Sequence, residues 1–204
     1  MTLSLRRLAL PVFLACAAAL LAPAARAATP ITFDTYANGT AISTQYQSQG
    51  VKFSSFGSPA TIYLDAAEAT SSPNILVGVA GSVLRDIDIT MVDPATGLPS
   101  PDWRACHVAL NVISVGWSAI TVSSYDGAGV LLQSFPLSYP AGPQNGFGKV
   151  DPLDFTTPGI AKVSLHFTTV NFGDGIGIDD VLVDFACNTP TQSSTWGRLK
   201  QLYR

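Results

Sequence analysis

The sequence predicts an all-β protein folded as an antiparallel sandwich, and three observations carry that prediction. Short apolar or alternating runs recur along the chain between Gly, Pro, Asn and Asp breakers, about ten of them, which is the spacing of strands and tight connections. Ala161, Val163, Leu165 and Phe167 alternate with Lys162, Ser164, His166 and Thr168, a period of two that puts one face in a core and the other in water. Glu68 is the only glutamate among 14 acidic residues. Aspartate favours turns and helix surfaces usually use glutamate, so the skew points to a loop-rich, helix-poor fold.

In chain order, residues 1–27 read as a secretory signal peptide: Arg6-Arg7, an apolar run from Leu8 to Leu21, and Ala25-Arg26-Ala27 before the cleavage point. The run is too short and too firmly bounded for a membrane span, and no later stretch approaches the required length. Residues 28–187 are expected to form one sandwich domain. Its strands are predicted at Ile31 to Tyr36, Val51 to Phe56, Thr61 to Leu64, Ile75 to Val79 and Val83 to Val92, then at Cys106 to Val115, Ala119 to Tyr125, Val130 to Phe135, Ile160 to Thr169 and Ile176 to Phe185. Thr40 to Gln47 suits a helical turn or two, and the Pro-bearing stretches Asp93 to Asp102 and Tyr139 to Pro158 read as long loops. Residues 188–194 form a linker, and 195–204 a short helical tail with Trp196, Leu199, Leu202 and Tyr203 on one stripe.

Charge narrows the partners. The chain carries a formal net charge of −3, and loss of Arg6, Arg7 and Arg26 with the leader makes the remainder more acidic. Such a chain repels phosphate backbones, which argues against nucleic acid. Export also places Cys106 and Cys187 where disulfides form, and they are expected to bridge. Closing a loop of that length stabilises by roughly 4 to 5 kcal/mol in the chain-entropy model.

The densest chemical signal is Gly173-Asp174-Gly175-Ile176-Gly177-Ile178-Asp179-Asp180-Val181, directly before the last strand. Glycines let carbonyls converge and Asp supplies anionic oxygens at short reach, a pattern suited to Ca²⁺. First and last strands commonly neighbour one another in such sandwiches, so Asp34 is expected to meet Asp179, or Asp180, at one structural calcium. The competing reading is that these carboxylates only accept hydrogen bonds from turn amides. Ile178 and Val181 can share a face only if a bulge intervenes at Asp179-Asp180.

Other candidates carry less. Asp86 and Asp88 share a strand face, an acid–base arrangement in form, but nothing local splits their pKa values, and a solvated face is the plainer reading. His107 and His166 stand alone, without a hydrolase or zinc motif around them. Trp103, Trp117, Tyr125, Tyr139 and Phe147 lie near predicted strand ends, where a flat ring either stacks on a sugar or fills the core.

Ile31-Thr32-Phe33-Asp34, Gly39-Thr40-Ala41-Ile42, Gln49-Gly50-Val51-Lys52-Phe53, Tyr125-Asp126-Gly127-Ala128-Gly129-Val130-Leu131 and Ile176-Gly177-Ile178-Asp179-Asp180-Val181 occur in an order that resembles secreted bacterial β-sandwich proteins of the PEP-CTERM-associated type, related in outline to jelly-roll carbohydrate-binding modules. The resemblance implies a jelly-roll-like sandwich with Ca²⁺ held between first and last strands. The chain departs from that pattern at its end, Trp196-Gly197-Arg198-Leu199-Lys200, where no Val-Pro-Glu-Pro signal or basic terminus follows. The expected function is an exported, non-catalytic binding module at the cell surface or outside it, for glycans or cell-surface polysaccharide. The alternatives are a surface or matrix structural protein and a glycoside hydrolase using surface Asp residues.

Overall fold

The computed structural model describes residues 28–55, 58–64, 66–80, 83–84, 86–113, 119–138, 149–169 and 176–186. The expected signal peptide, linker and helical tail, and Cys187, lie outside the described residues. The strands are β1 (Thr29–Ile31), β2 (Ala41–Ile42), β3 (Val51–Ser54), β4 (Ala60–Leu64), β5 (Asn74–Val77), β6 (Val79–Ala80), β7 (Val83–Leu84), β8 (Ile87–Met91), β9 (His107–Ile113), β10 (Ala119–Tyr125), β11 (Leu131–Leu137), β12 (Val150–Phe155), β13 (Lys162–Thr169) and β14 (Gly177–Asp184). They form two antiparallel sheets packed as a jelly-roll-like sandwich. One runs β12-β9-β14-β5-β4-β2 with β1 also on β14, and the other runs β11-β10-β13-β8-β3. A small β6-β7 hairpin stands apart.

The core between the sheets follows the alternation read from sequence. Ile87, Ile89 and Met91 from β8, Val163 and Leu165 from β13, and Val108, Leu110 and Val112 from β9 point inward and are buried. Phe33, Tyr46 and Phe53 pack edge to face with ring centroids 5.5–5.8 Å apart. Burying side chains of this size stabilises by roughly 1.5 to 3 kcal/mol each. Gly50 turns the chain into β3 with φ +84°, and a Cβ there would press on Phe185 and Trp103 at 3.0–3.1 Å, so glycine is needed on both counts.

Three expectations change. The predicted loop from Tyr139 to Pro158 contains β12. Pro152 made the segment read as loop, but β12 is an edge strand, where a residue without an N–H is tolerated. The predicted helical turn over Thr40 to Gln47 is instead β2 followed by a 3₁₀ turn, Gln47–Gln49. The first strand lies earlier than predicted: after Ile31 the chain turns, with the Tyr36 N–H donating to the Phe33 carbonyl at 3.2 Å.

Candidate functional site

The architecture singles out one point on β14. Its N-terminal end pairs with β5 (Gly177↔Val77, Ile178↔Leu76), and farther along it pairs with β1 (Val181↔Ile31, Val183↔Thr29). Asp179 and Asp180 fall where one partner ends and the next begins. The ladder to β9 shifts register between Asp179 and Leu182, and Asp180 takes φ +49°. Here is the bulge that lets Ile178 and Val181 both face the core, each fully buried.

The bulge aims Asp179 at the segment leading into β5. Its carboxylate is fully buried and accepts four hydrogen bonds. Oδ2 takes the Ser71 N–H at 2.7 Å and the Thr70 hydroxyl at 3.1 Å. Oδ1 takes the Ser71 hydroxyl at 2.9 Å and the Asp180 N–H at 2.8 Å. Four donors fill a carboxylate's lone-pair sites. Burial pushes the Asp179 carboxyl up from the usual range; the Ser71 and Asp180 amides and the Ser71 hydroxyl pull it back down, and the Asp180 charge adds to the rise.

Asp34 grips the other end of the same segment. Its Oδ1 accepts the Asn74 N–H at 3.2 Å, while buried Asn74 donates from Nδ2 to the Phe33 and Tyr36 carbonyls at 3.2 and 2.8 Å. Asn111 of β9 completes the network, donating from Nδ2 to Thr70 Oγ1 at 3.1 Å and to Asp180 Oδ2 at 3.4 Å. Beneath, Tyr46 donates its hydroxyl to the Thr32 carbonyl at 2.5 Å. Burial, and then the nearby Tyr36, Asp34 and Asp179, push its phenol well up. Residues 71–74 are thus clamped at both ends, by Asp34 from the turn after β1 and by Asp179 from β14. Sequence reasoning named the carboxylates but missed Thr70, Ser71, Asn74 and Asn111. The run Thr70-Ser71-Ser72-Pro73-Asn74 marks a loop and says nothing of which carboxylate it meets.

Asp34, Asp179 and Asp180 offer carboxylate oxygens, the chemistry of a hard cation. Their arrangement is a saturated hydrogen-bond clamp, and among the described residues no three His, Cys, Asp or Glu side chains gather as a metal-binding group.

The remaining candidates are cross-strand pairs. Asp86 accepts the Phe167 N–H at 3.0 Å and pairs with His166 Nδ1 at 2.6 Å, and Asp88 stands 3.7 Å from Lys162 Nζ. His107 Nε2 pairs with Asp154 on the neighbouring edge strand. Trp103 packs edge-on against Phe185 with centroids 5.3 Å apart, and Tyr125 carries the Lys162 ammonium over its ring at 5.3 Å. Trp117, Tyr139 and Phe147 lie outside the described residues.

No protein-family model matches the chain, and neither does any curated protein. Solved structures similar to it include a mutant of the family 29 carbohydrate-binding module CBM29-2, at 13% identity over 78% of this chain and 93% of that one, TM-score 0.42. TmCBM61 in complex with β-1,4-galactotriose is similar at 12% identity over 72% and 98%, TM-score 0.44. A cleaved adhesin domain of Lys-gingipain from Porphyromonas gingivalis is similar at 14% identity over 78% and 98%, TM-score 0.41. No residue role is carried from them, and the PEP-CTERM part of the resemblance finds no support among them.

Proposed function

We propose that the chain is an exported, non-catalytic module that binds carbohydrate. The observation that carries this reading is the outer face of the five-stranded sheet, where alternation turns a continuous set of polar side chains outward over a rigid core. Hydroxyl, carboxylate and amine groups held on paired strands suit hydrogen-bond recognition of a polyol. The hydrolase alternative loses ground at Asp86 and Asp88. The first is tied to His166 and a backbone amide and the second faces Lys162, so neither stands across a cleft as acid and base must. A glycan array probed with the mature protein, with and without Ca²⁺, tests the reading. Binding to defined glycans is expected, and silence across the array sinks it in favour of a surface or matrix structural protein.

Calcium at Asp34, Asp179 and Asp180 belongs to the same proposal. Its support is the set of carboxylate and hydroxyl oxygens near the pairing of β1 with β14, and an ion entering there takes the place of donors that Asp179 now accepts from. A melting temperature that rises with Ca²⁺ and falls with chelator supports it; identical curves remove calcium from the account.

We also propose the Cys106–Cys187 disulfide. The Cys106 N–H donates to the Asp184 carbonyl at 2.9 Å, which brings it beside the end of β14, three residues before Cys187. Non-reducing intact mass about 2 Da below the dithiol value is expected. Full thiol labelling of the unreduced, unfolded protein rules the bridge out.

A further inference from the structure

The same sheet face has relief as well as polarity. Strand register sets three rows across it. The middle row runs Ser54, Asp88, Ser164, Ser123 and Ser134, opposite one another on β3, β8, β13, β10 and β11. All but Asp88 are serines. On one side stands a row holding Lys52, Lys162 and Tyr125, and on the other the His166–Asp86 pair beside Thr121. Successive residues on one face lie roughly 7 Å apart, so the taller flanking rows wall a trough whose floor is the serine row. Ser123 shows the depth: it faces outward, yet only 5% of it is exposed, and its hydroxyl pairs with Ser134 Oγ at 2.9 Å. Four inter-strand spacings make the trough ~19 Å long.

Charge decides what fits. Among the described residues of this face, Lys52 and Lys162 on one wall balance Asp88 on the floor and Asp86 on the other wall. A balanced strip repels no neutral ligand and gives a polyanion no net attraction. Two groups are set to receive hydroxyls. Asp88 Oδ1 makes no hydrogen bond, with the Lys162 ammonium 3.7 Å off, so a ligand hydroxyl supplies the donor it lacks once the flexible lysine turns aside. His166, held through Nδ1 by Asp86, presents Nε2 to solvent. Tyr125 already carries Lys162 over its ring, so hydrogen bonding rather than stacking dominates.

We infer that this trough binds a linear, uncharged oligosaccharide lying across the strands, an inference that rests on the carbohydrate-binding reading above. The test uses the full mature chain on an array of neutral and sulfated or uronate oligosaccharides, followed by titration of the best binder. Ser164→Trp plugs the floor from a solvent-facing position, and Asp88→Asn keeps the shape while removing the acceptor charge. Thr61→Trp, on the outer face of the other sheet, adds the same bulk elsewhere. The wild type is expected to bind neutral oligosaccharides, improving with chain length. Ser164→Trp should lose affinity about tenfold or more, Asp88→Asn less, and Thr61→Trp not at all. Undiminished binding by Ser164→Trp that still unfolds at the wild-type temperature overturns the trough and leaves carbohydrate binding standing. Preference for the charged glycans overturns the neutral assignment, and no glycan binding at all overturns both readings.

Discussion

Two acidic pairs, alike as letters, end in opposite places. Asp88 lies within β8, between β13 and β3, and Asp86 directly precedes that strand, so both look outward and meet Lys162 and His166. Asp179 and Asp180 sit where β14 changes partner from β5 to β1, and the bulge there turns Asp179 under the 70–74 segment, where it is fully buried. A carboxylate's role follows from whether the ladder beside it continues or breaks.

The largest consequence falls on Asp179. Its replacement by Ala leaves the Ser71 N–H without its acceptor and should cost about 3 kcal/mol in urea unfolding, since burying an orphaned polar group forfeits its full desolvation energy. A loss below that of an ordinary surface substitution would show that the clamp does not hold the fold. Asn74→Ala removes the ties to the Phe33 and Tyr36 carbonyls from the other end and should cost about 2 kcal/mol. Because the two residues share one segment, the double variant should cost less than the sum, and strict additivity argues against a common clamp.

A pH series sharpens the contrast further. Burial raises the Asp179 carboxyl above its unfolded value, so the folded state holds the proton more tightly. Its favourable contribution is then full below the ordinary carboxylate pKa and is lost as pH rises through the raised one. The cost of Asp179→Asn should therefore shrink from acidic toward neutral pH. A cost that grows with pH means the four hydrogen bonds outweigh burial and the anion is the favoured form. The smallest effect belongs to the other pair: Asp86→Asn should change stability by less than about 1 kcal/mol, as exposed ion pairs do. A loss matching Asp179→Ala would erase the distinction between the two pairs.

Much of this was legible in the sequence where the signal is local. Alternation located β10 over Ala119–Tyr125 and the inward face of β13, and the clash of Ile178 with Val181 announced the bulge. What local pattern does not encode is partnership at a distance. Ser71 and Asp179 are 108 residues apart, and nothing in either neighbourhood names the other. Pro152 hid β12 because its tolerance depends on the strand lying at a sheet edge, which is a property of the whole topology. The trough was hidden for the same reason: its floor comes from five strands, and each contributes a residue unremarkable in its own segment.

Amide chemical-shift perturbation of the isotope-labelled mature protein, titrated with the best neutral oligosaccharide from the array, tests the division of labour most directly. The account predicts shifts centred on β8, β13 and β10, around Asp88, Ser164 and Ser123, with residues 70–74 and 179–180 unmoved. Shifts concentrated at Ser71, Asn74 and Asp179, with the five-stranded sheet silent, would contradict it.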